Sequence, residues 1–302
     1  VRLDDFRFIM VSYKPATKER NSDFGINWKD LDLTADIRAR NLKFANSIMS
    51  GTADKVSILE KSGYYAENIS GSAKVGRGRT ELKDLHIKDR WSDAYLPEFS
   101  LEYQENSRAF NSFTDSVKIN ADIDGSGLSF KTISYFVPAM KNNGIIADIS
   151  SAQVDGYVNS LTISGLSFAD RTSGIGGTVS ASISGLPDTG AMRIDSKVND
   201  FKFTADGLGR FISQWSDALS LDLGQDAPGE VLTFNGSAKG SLQHLDIVGG
   251  ISSRIGLADA SLNVRGLDGK SHIRIGGDIS TKDLDLGRII GKDFIHECTL
   301  SS

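Results

Sequence analysis

Apolar residues recur at every second position along most of this chain, and a period of two dictates strands with one apolar and one wet face. The apolar parity runs through Leu31, Leu33, Ala35, Ile37, then Ile69, Gly71, Ala73, Val75, then Phe99, Leu101, Tyr103 and Val117, Ile119, Ala121, Ile123. It resumes at Ile145, Ala147, Ile149, then Val179, Ala181, Ile183, then Met192, Ile194, then Leu262, Val264 and Ile273, Ile275. Turn signals separate these runs at Asp124-Gly125, Asn142-Asn143-Gly144, Ser184-Gly185, Pro187-Asp188, Asp268-Gly269 and Gly276-Gly277. The glycine-arginine run from Gly76 to Arg79 and the polar stretch from Gln104 to Ser112 read as the longest loops. Helical spacing is confined to Thr132–Met140 and Asp206–Leu219, with a shorter turn after Asp285. Such short helices do not stand alone, so they are expected to plug an end or cover an edge of the sheet.

The strands come in repeats. Gly156-Tyr-Val158-Asn-Ser-Leu161-Thr-Ile163 is matched by Gly240-Ser-Leu242-Gln-His-Leu245-Asp-Ile247 and, more loosely, by Gly51-Thr-Ala53-Asp-Lys-Val56-Ser-Ile58. Ser184-Gly185-Leu186 followed by Met192-Arg-Ile194 returns as Arg265-Gly266-Leu267 followed by Ile273-Arg-Ile275. Leu208-Gly-Arg210-Phe211-Ile212 resembles Leu286-Gly-Arg288-Ile289-Ile290, with Ile133-Ser-Tyr135-Phe136-Val137 as a weaker copy. Self-similarity at roughly 80 residues signals units that cover one another's apolar surface. The chain therefore reads as one continuous β-repeat segment over residues 1–302, with approximate units 25–140, 141–215 and 216–302.

Composition narrows the function classes. A net charge of -5 opposes a phosphate-backbone partner, so no nucleic acid is expected. The single cysteine, Cys298, allows neither a disulfide framework nor a zinc cluster. His86, His244, His272 and His296 are scattered without ligand spacing, and solvent-facing positions suit them. No nucleophile elbow or phosphate-cradling loop occurs. Asp122-Ile-Asp124-Gly125-Ser126-Gly127 opens like a calcium loop, but Ile133 stands where the closing bidentate carboxylate belongs, so a hairpin turn is the better reading. Neither enzyme activity, cofactor nor metal is expected. The longest apolar stretch, near Tyr135–Met140, falls far short of the ~18 residues that span a bilayer. With strand patterns open at both ends, the sequence reads as an interior piece of a longer chain.

Strands of about 12 residues would number roughly 20 to 25, and an open sheet of that many curls on itself. Curling with the apolar parity inward leaves two solutions, a sealed sandwich or an open trough. The residues themselves leave both standing.

The segment Gly25-Ile-Asn-Trp28-Lys-Asp-Leu31-Asp-Leu33, then Asn41-Leu-Lys-Phe44, Glu60-Lys-Ser-Gly63-Tyr64 and Leu82-Lys-Asp-Leu85-His-Ile87, resembles the periplasmic region of TamB proteins of the AsmA-like superfamily. Phe113-Thr-Asp-Ser-Val117 and Ser184-Gly-Leu-Pro187-Asp188 are similar to phrases that recur there. The resemblance implies an elongated, strongly curved, taco-like antiparallel sheet in the Gram-negative periplasm, anchored to the inner membrane by a segment outside these residues. Its apolar groove would pass phospholipid or other acyl-chain lipid between inner and outer membranes, with an outer-membrane barrel of the Omp85 type as a further partner. The groove candidates are Val154, Val158, Leu161, Ile163, Ile183, Ile194, Val198, Phe201, Phe203, Leu242, Leu245, Ile247, Leu262, Val264, Ile273 and Ile275. Two other readings stay open: an assembly module that pairs its edge strands with a client strand, and a β-repeat adhesin or glycan-binding protein.

Overall fold

A computed structural model of the chain describes residues 1–11, 24–27, 30–105, 112–186, 188, 190–214, 229–254, 256–267 and 274–282. The fold is all-β. Strands β1 (Arg2–Val11), β2 (Asp30–Ala45), β3 (Ile48–Glu60), β4 (Tyr65–Gly76), β5 (Arg79–Asp89), β6 (Asp93–Tyr103), β7 (Val117–Ser129) and β8 (Ile146–Tyr157) are followed by seven more. These are β9 (Ser160–Asp170), β10 (Gly176–Ser184), β11 (Arg193–Phe203), β12 (Leu232–Ser241), β13 (His244–Ser253), β14 (Gly256–Arg265) and β15 (Arg274–Lys282). Every strand lies beside its sequence neighbours in one 15-stranded antiparallel sheet, and β1 and β15 do not meet to close a barrel. The strands among the described residues are fewer than the sequence estimate, although their lengths, from 9 residues in β10 to 16 in β2, are close to those expected, because helices and connecting segments take up the rest.

Among the described residues three short α-helices interrupt the strands: α1 (Phe113–Ser116), α2 (Phe130–Phe136) and α3 (Ala205–Ser213). A 3-10 turn, Pro138–Met140, follows α2. The helical spacing noted from Thr132 corresponds to α2 and this turn. That noted from Asp206 corresponds to α3, with residues 215–219 outside the described set. Both helices begin at a hydroxyl cap, since Ser129 accepts from the Lys131 amide and Thr204 from the Gly207 amide. The repeat copies Ile133-Ser-Tyr135-Phe136-Val137 and Leu208-Gly-Arg210-Phe211-Ile212 thus fall on equivalent helices, while the Leu286 copy lies outside the described residues.

By packing the chain divides into two compact units, Val1–Asn111 with Ile119–Ser150, and Ser112–Lys118 with Ser151–Ser302. Each has a small core beside its helix. In the first unit Ile26, Tyr64 and Ala66 are buried, with Leu31, Ile58, Ile69 and Tyr135 packed around them. In the second, Ile175, Phe203 and Leu232 are buried against Phe168, Phe201, Leu208, Phe211, Phe234 and Ile251.

The recurring Gly-x-Φ-x-x-Φ-x-Φ phrase, Φ being apolar, is a hairpin. Gly156 and Gly240 sit in β8 and β12 with φ of +125° and +142°, directly before two-residue turns. A Cβ at Gly156 would lie 2.3 Å from the Ser160 carbonyl oxygen, and at Gly240 only 2.1 Å from that of His244. No side chain fits either the space or the backbone conformation. Gly240→Ala is expected to cost about 2–4 kcal/mol, read as a lower urea midpoint, because strain and clash add. The looser copy at Gly51 is not a turn: Gly51 lies inside β3, opposite Ala73.

Other turn signals are corrected by the structure. Asp124-Gly125 does not end a strand but bulges within β7, where Gly125 takes a φ of +49°. Gly276-Gly277 runs inside β15, with Gly277 opposite Leu262. A bulge and a hairpin turn need the same residue types, so the dipeptides alone do not separate them. Arg77-Gly78 is a tight two-residue turn between β4 and β5 rather than a long loop.

Candidate functional site

Cross-strand partners share a face, so the strand registers reveal which side chains lie side by side. In the second unit one row reads Leu161, Ile183, Ile194, Gly240, Leu245, Val264, Ile275 across β9 to β15. The next reads Ile163, Ala181, Ser196, Ala238, Ile247, Leu262, Gly277, and the third Leu166, Val179, Val198, Gly236, Gly249, Ala260, Ile279. Phe201, Phe234, Ile251 and Ala258 continue the pattern toward α3. Seven adjacent strands therefore present one apolar face, in register and broken only by Ser196.

The first unit repeats the arrangement. Leu3, Ile37, Val56, Ile69, Ile87 and Ala94 form a row across β1 to β6, and Met49, Val75, Thr80 and Leu101 another across β3 to β6.

Charges take the opposite face. Arg7 with Asp32 (2.7 Å), Arg40 with Asp54 (2.7 Å), Arg79 with Glu81 (2.8 Å) and Lys239 with Asp195 (2.6 Å) are all on the wet parity. His86 is exposed there and meets Tyr95 edge-on at 4.7 Å, while exposed His244 faces Asn263. Exposed ion pairs of this kind contribute little stability; their effect is to keep that face hydrated. Two shallow depressions of about 650 and 520 Å³ are lined mainly by these polar residues, among them Asp195, Lys197, Lys74 and Lys83. Neither gathers groups for chemistry, and no three acidic, histidine or cysteine side chains among the described residues are placed to hold a metal.

The apolar face is only partly covered. Leu161, Ile163, Ile183, Ile194, Val198, Phe201, Leu245, Ile247 and Leu262 are half-buried, and Ile275 is 60% exposed. Among the described residues these side chains are neither fully sealed nor bare. Ten of the expected lining residues thus lie together on one open face, Val154 shares the parity of Gly156 opposite β9, and Val264 lies on the face but is buried. Phe203 belongs instead to the core under α3. Val158 and Leu242 stand in the β8–β9 and β12–β13 turns rather than on the strands, and Ile273 lies outside the described residues.

Where odd-numbered strands finish, the face is closed by helices. In the first unit Tyr135 of α2 packs within 5.5 Å of Tyr64 and stacks on Trp91 at 6.1 Å. Burial pushes the Tyr64 phenol up to about 12, helped by the negative charge of Asp89. In the second, Leu208 and Phe211 of α3 pack on the Ile175–Phe203–Leu232 core. Each helix is pinned to a turn organised by a buried acid. Asp89 accepts from the amides of Trp91 and Ser92, both at 2.7 Å, and from Thr132 Oγ1 of α2 at 2.7 Å. Asp170 accepts from the amides of Thr172 and Ser173, both at 3.1 Å, and Arg210 of α3 donates to the Ser173 carbonyl at 3.2 Å. Glu60 does the same for its own turn, accepting from the Ser62 amide at 2.8 Å. The sequence reading missed these acids, although the signal is visible: an acid at a strand's end with Ser two or three places on, as in Glu60-Lys-Ser62, Asp89-Arg-Trp-Ser92 and Asp170-Arg-Thr-Ser173.

What the arrangement presents chemically, in each unit, is an apolar face with a charged back and a helix-closed margin. Among the described residues no three acidic, histidine or cysteine side chains gather on it. No family model, curated protein or solved structure matches the chain.

Proposed function

We propose that this chain is a segment of a bridge-like lipid carrier, which holds acyl chains on the apolar face of its sheet and moves them along it without turnover chemistry. The observation that carries the reading is the register: apolar rows continue across seven strands in the second unit and six in the first, and most of their side chains are half-exposed. Each CH₂ moved from water to such a face gains about 0.8 kcal/mol, so an acyl chain is a better occupant than solvent. The rows carry no charge to select a headgroup, and their hydroxyls, Ser196 and Thr80, bond within the protein. The resemblance to TamB proteins supports the same reading, and with it come passage between two membranes of a Gram-negative envelope and an Omp85-type barrel as partner.

The test is an organic extract of protein purified without detergent. Phospholipid in the mass spectrum, and uptake of a fluorescent fatty acid by the delipidated chain, are expected; a clean extract with no uptake overturns the proposal. The strand-pairing alternative draws on β1 and β15, which lie at the two ends of the strand order among the described residues. It requires no lipid, so the same extract separates the two.

A further inference from the structure

The hairpin tip joining β2 and β3 is unlike the rest of the sheet. Phe44 is 79% exposed and lies opposite Met49, itself 56% exposed, while Leu42 is 55% exposed and leans over Gly51. These three side chains stand at the lip of the first unit's apolar face, next to the turn at Asn46-Ser47. At the comparable β8–β9 and β12–β13 turns, Val158 and Leu242 are half-buried.

The surroundings of this lip are basic. Residues 38–55 and the adjoining hairpin 74–83 carry eight Lys and Arg against Asp54 and Glu81, in a chain whose net charge is -5. Arg38 stands beside Lys55 and Arg2 across the ladders, and Lys43 lies in the same cross-strand row as Lys74, with Ser50 between them. Arg40, Lys74, Arg79 and Lys83 have carboxylate partners, whereas Arg38, Lys43, Lys55 and Arg77 enter no ion pair among the described residues. Arg77 instead donates to Ser47 Oγ at 3.3 Å, which ties the two turns together.

We infer that the β2–β3 tip, with the β4–β5 turn beside it, docks on an anionic phospholipid bilayer, Phe44, Leu42 and Met49 entering the acyl boundary and Lys43 and Arg77 meeting lipid phosphates. An exposed aromatic and two aliphatic side chains flanked by unpaired cations match a surface that is anionic outside and apolar just beneath. A nucleic acid would satisfy the cations yet leave Phe44 in water. The inference stands apart from lipid carriage, since a tip can dock whether or not the floor takes up acyl chains.

The experiment uses the full chain with sedimented vesicles of phosphatidylcholine alone or mixed with phosphatidylglycerol. Binding to the mixed vesicles is expected, weakened by added salt. It should fall on the order of tenfold or more in a Phe44→Ser/Met49→Ser variant and in a Lys43→Glu/Arg77→Glu variant. These positions are exposed, so urea midpoints should hold. In a Phe44→Trp variant, emission should shift to the blue and be quenched by brominated acyl chains beyond the parent's response. Unchanged binding in both double variants, failure of the parent to bind, or an unquenched Trp at position 44 overturns the inference. Fatty-acid uptake measured without vesicles is expected to survive in the Lys43→Glu/Arg77→Glu variant, whose positions lie outside the apolar rows, so a failure of docking and a failure of carriage are read separately.

Discussion

Ile247→Asp is expected to abolish fatty-acid uptake, by more than about tenfold in affinity, while the protein stays folded. Ile247 sits in the middle of the second unit's floor between Ala238 and Leu262, and it is half-exposed. A carboxylate there keeps its water, so the stability cost should stay within about 1–2 kcal/mol. An acyl chain laid across it would have to strip that water from the charge, or leave several methylenes uncovered. Urea unfolding and uptake measured on the same preparation decide the matter. If Ile247→Asp unfolds the second unit instead, this side of the sheet is a sealed core and the carrier proposal falls.

Phe203→Ala is expected to do the opposite, costing about 3–5 kcal/mol of stability. Phe203 is 9% exposed beneath α3, in contact with Ile175, at 1%, and Leu232. The backbone there is held by Asp170 and its turn, so the cavity has little freedom to collapse. A lower urea midpoint, with lost protection of α3 amides from hydrogen exchange, is the result to look for. A shift below about 1 kcal/mol would place Phe203 with the floor residues after all. The pair of substitutions matters more than either alone, since it asks whether residues of one parity on neighbouring strands divide into floor and core where the structure divides them.

Much of this was legible in the sequence. Alternation at period two located the strands, because side chains of a strand must alternate faces whatever else happens. Apolar spacings of three and four after Thr132 and Asp206 found α2 and α3, whereas the glycine phrases at Gly156 and Gly240 were legible as a repeat but not as hairpin turns. The limits are equally physical. Val158 and Leu242 were read as lining because they are apolar and repeat, yet both occupy turns, where a half-buried apolar residue closes a hairpin. Phe203 and Phe201 share one strand and one parity; Phe203 is buried in the core beneath α3 and Phe201 stands half-buried at its edge, a division that follows from the docking of α3, which no local pattern specifies. Asp89 and Asp170 drew no attention in the sequence, and their burial follows only from the turn amides folding back onto them. Asp124-Gly125 and Gly276-Gly277 had the chemistry of turns but bend strands instead.

Because each strand bonds only to the strands that precede and follow it in the chain, no pairing depends on a distant crossover. Adding or deleting a pair of strands together with their helix leaves every remaining ladder with its own partner. Length is therefore a freely adjustable property of such a sheet, and duplication of a strand-and-helix block is a route by which one lineage could lengthen it in steps without redesigning what came before.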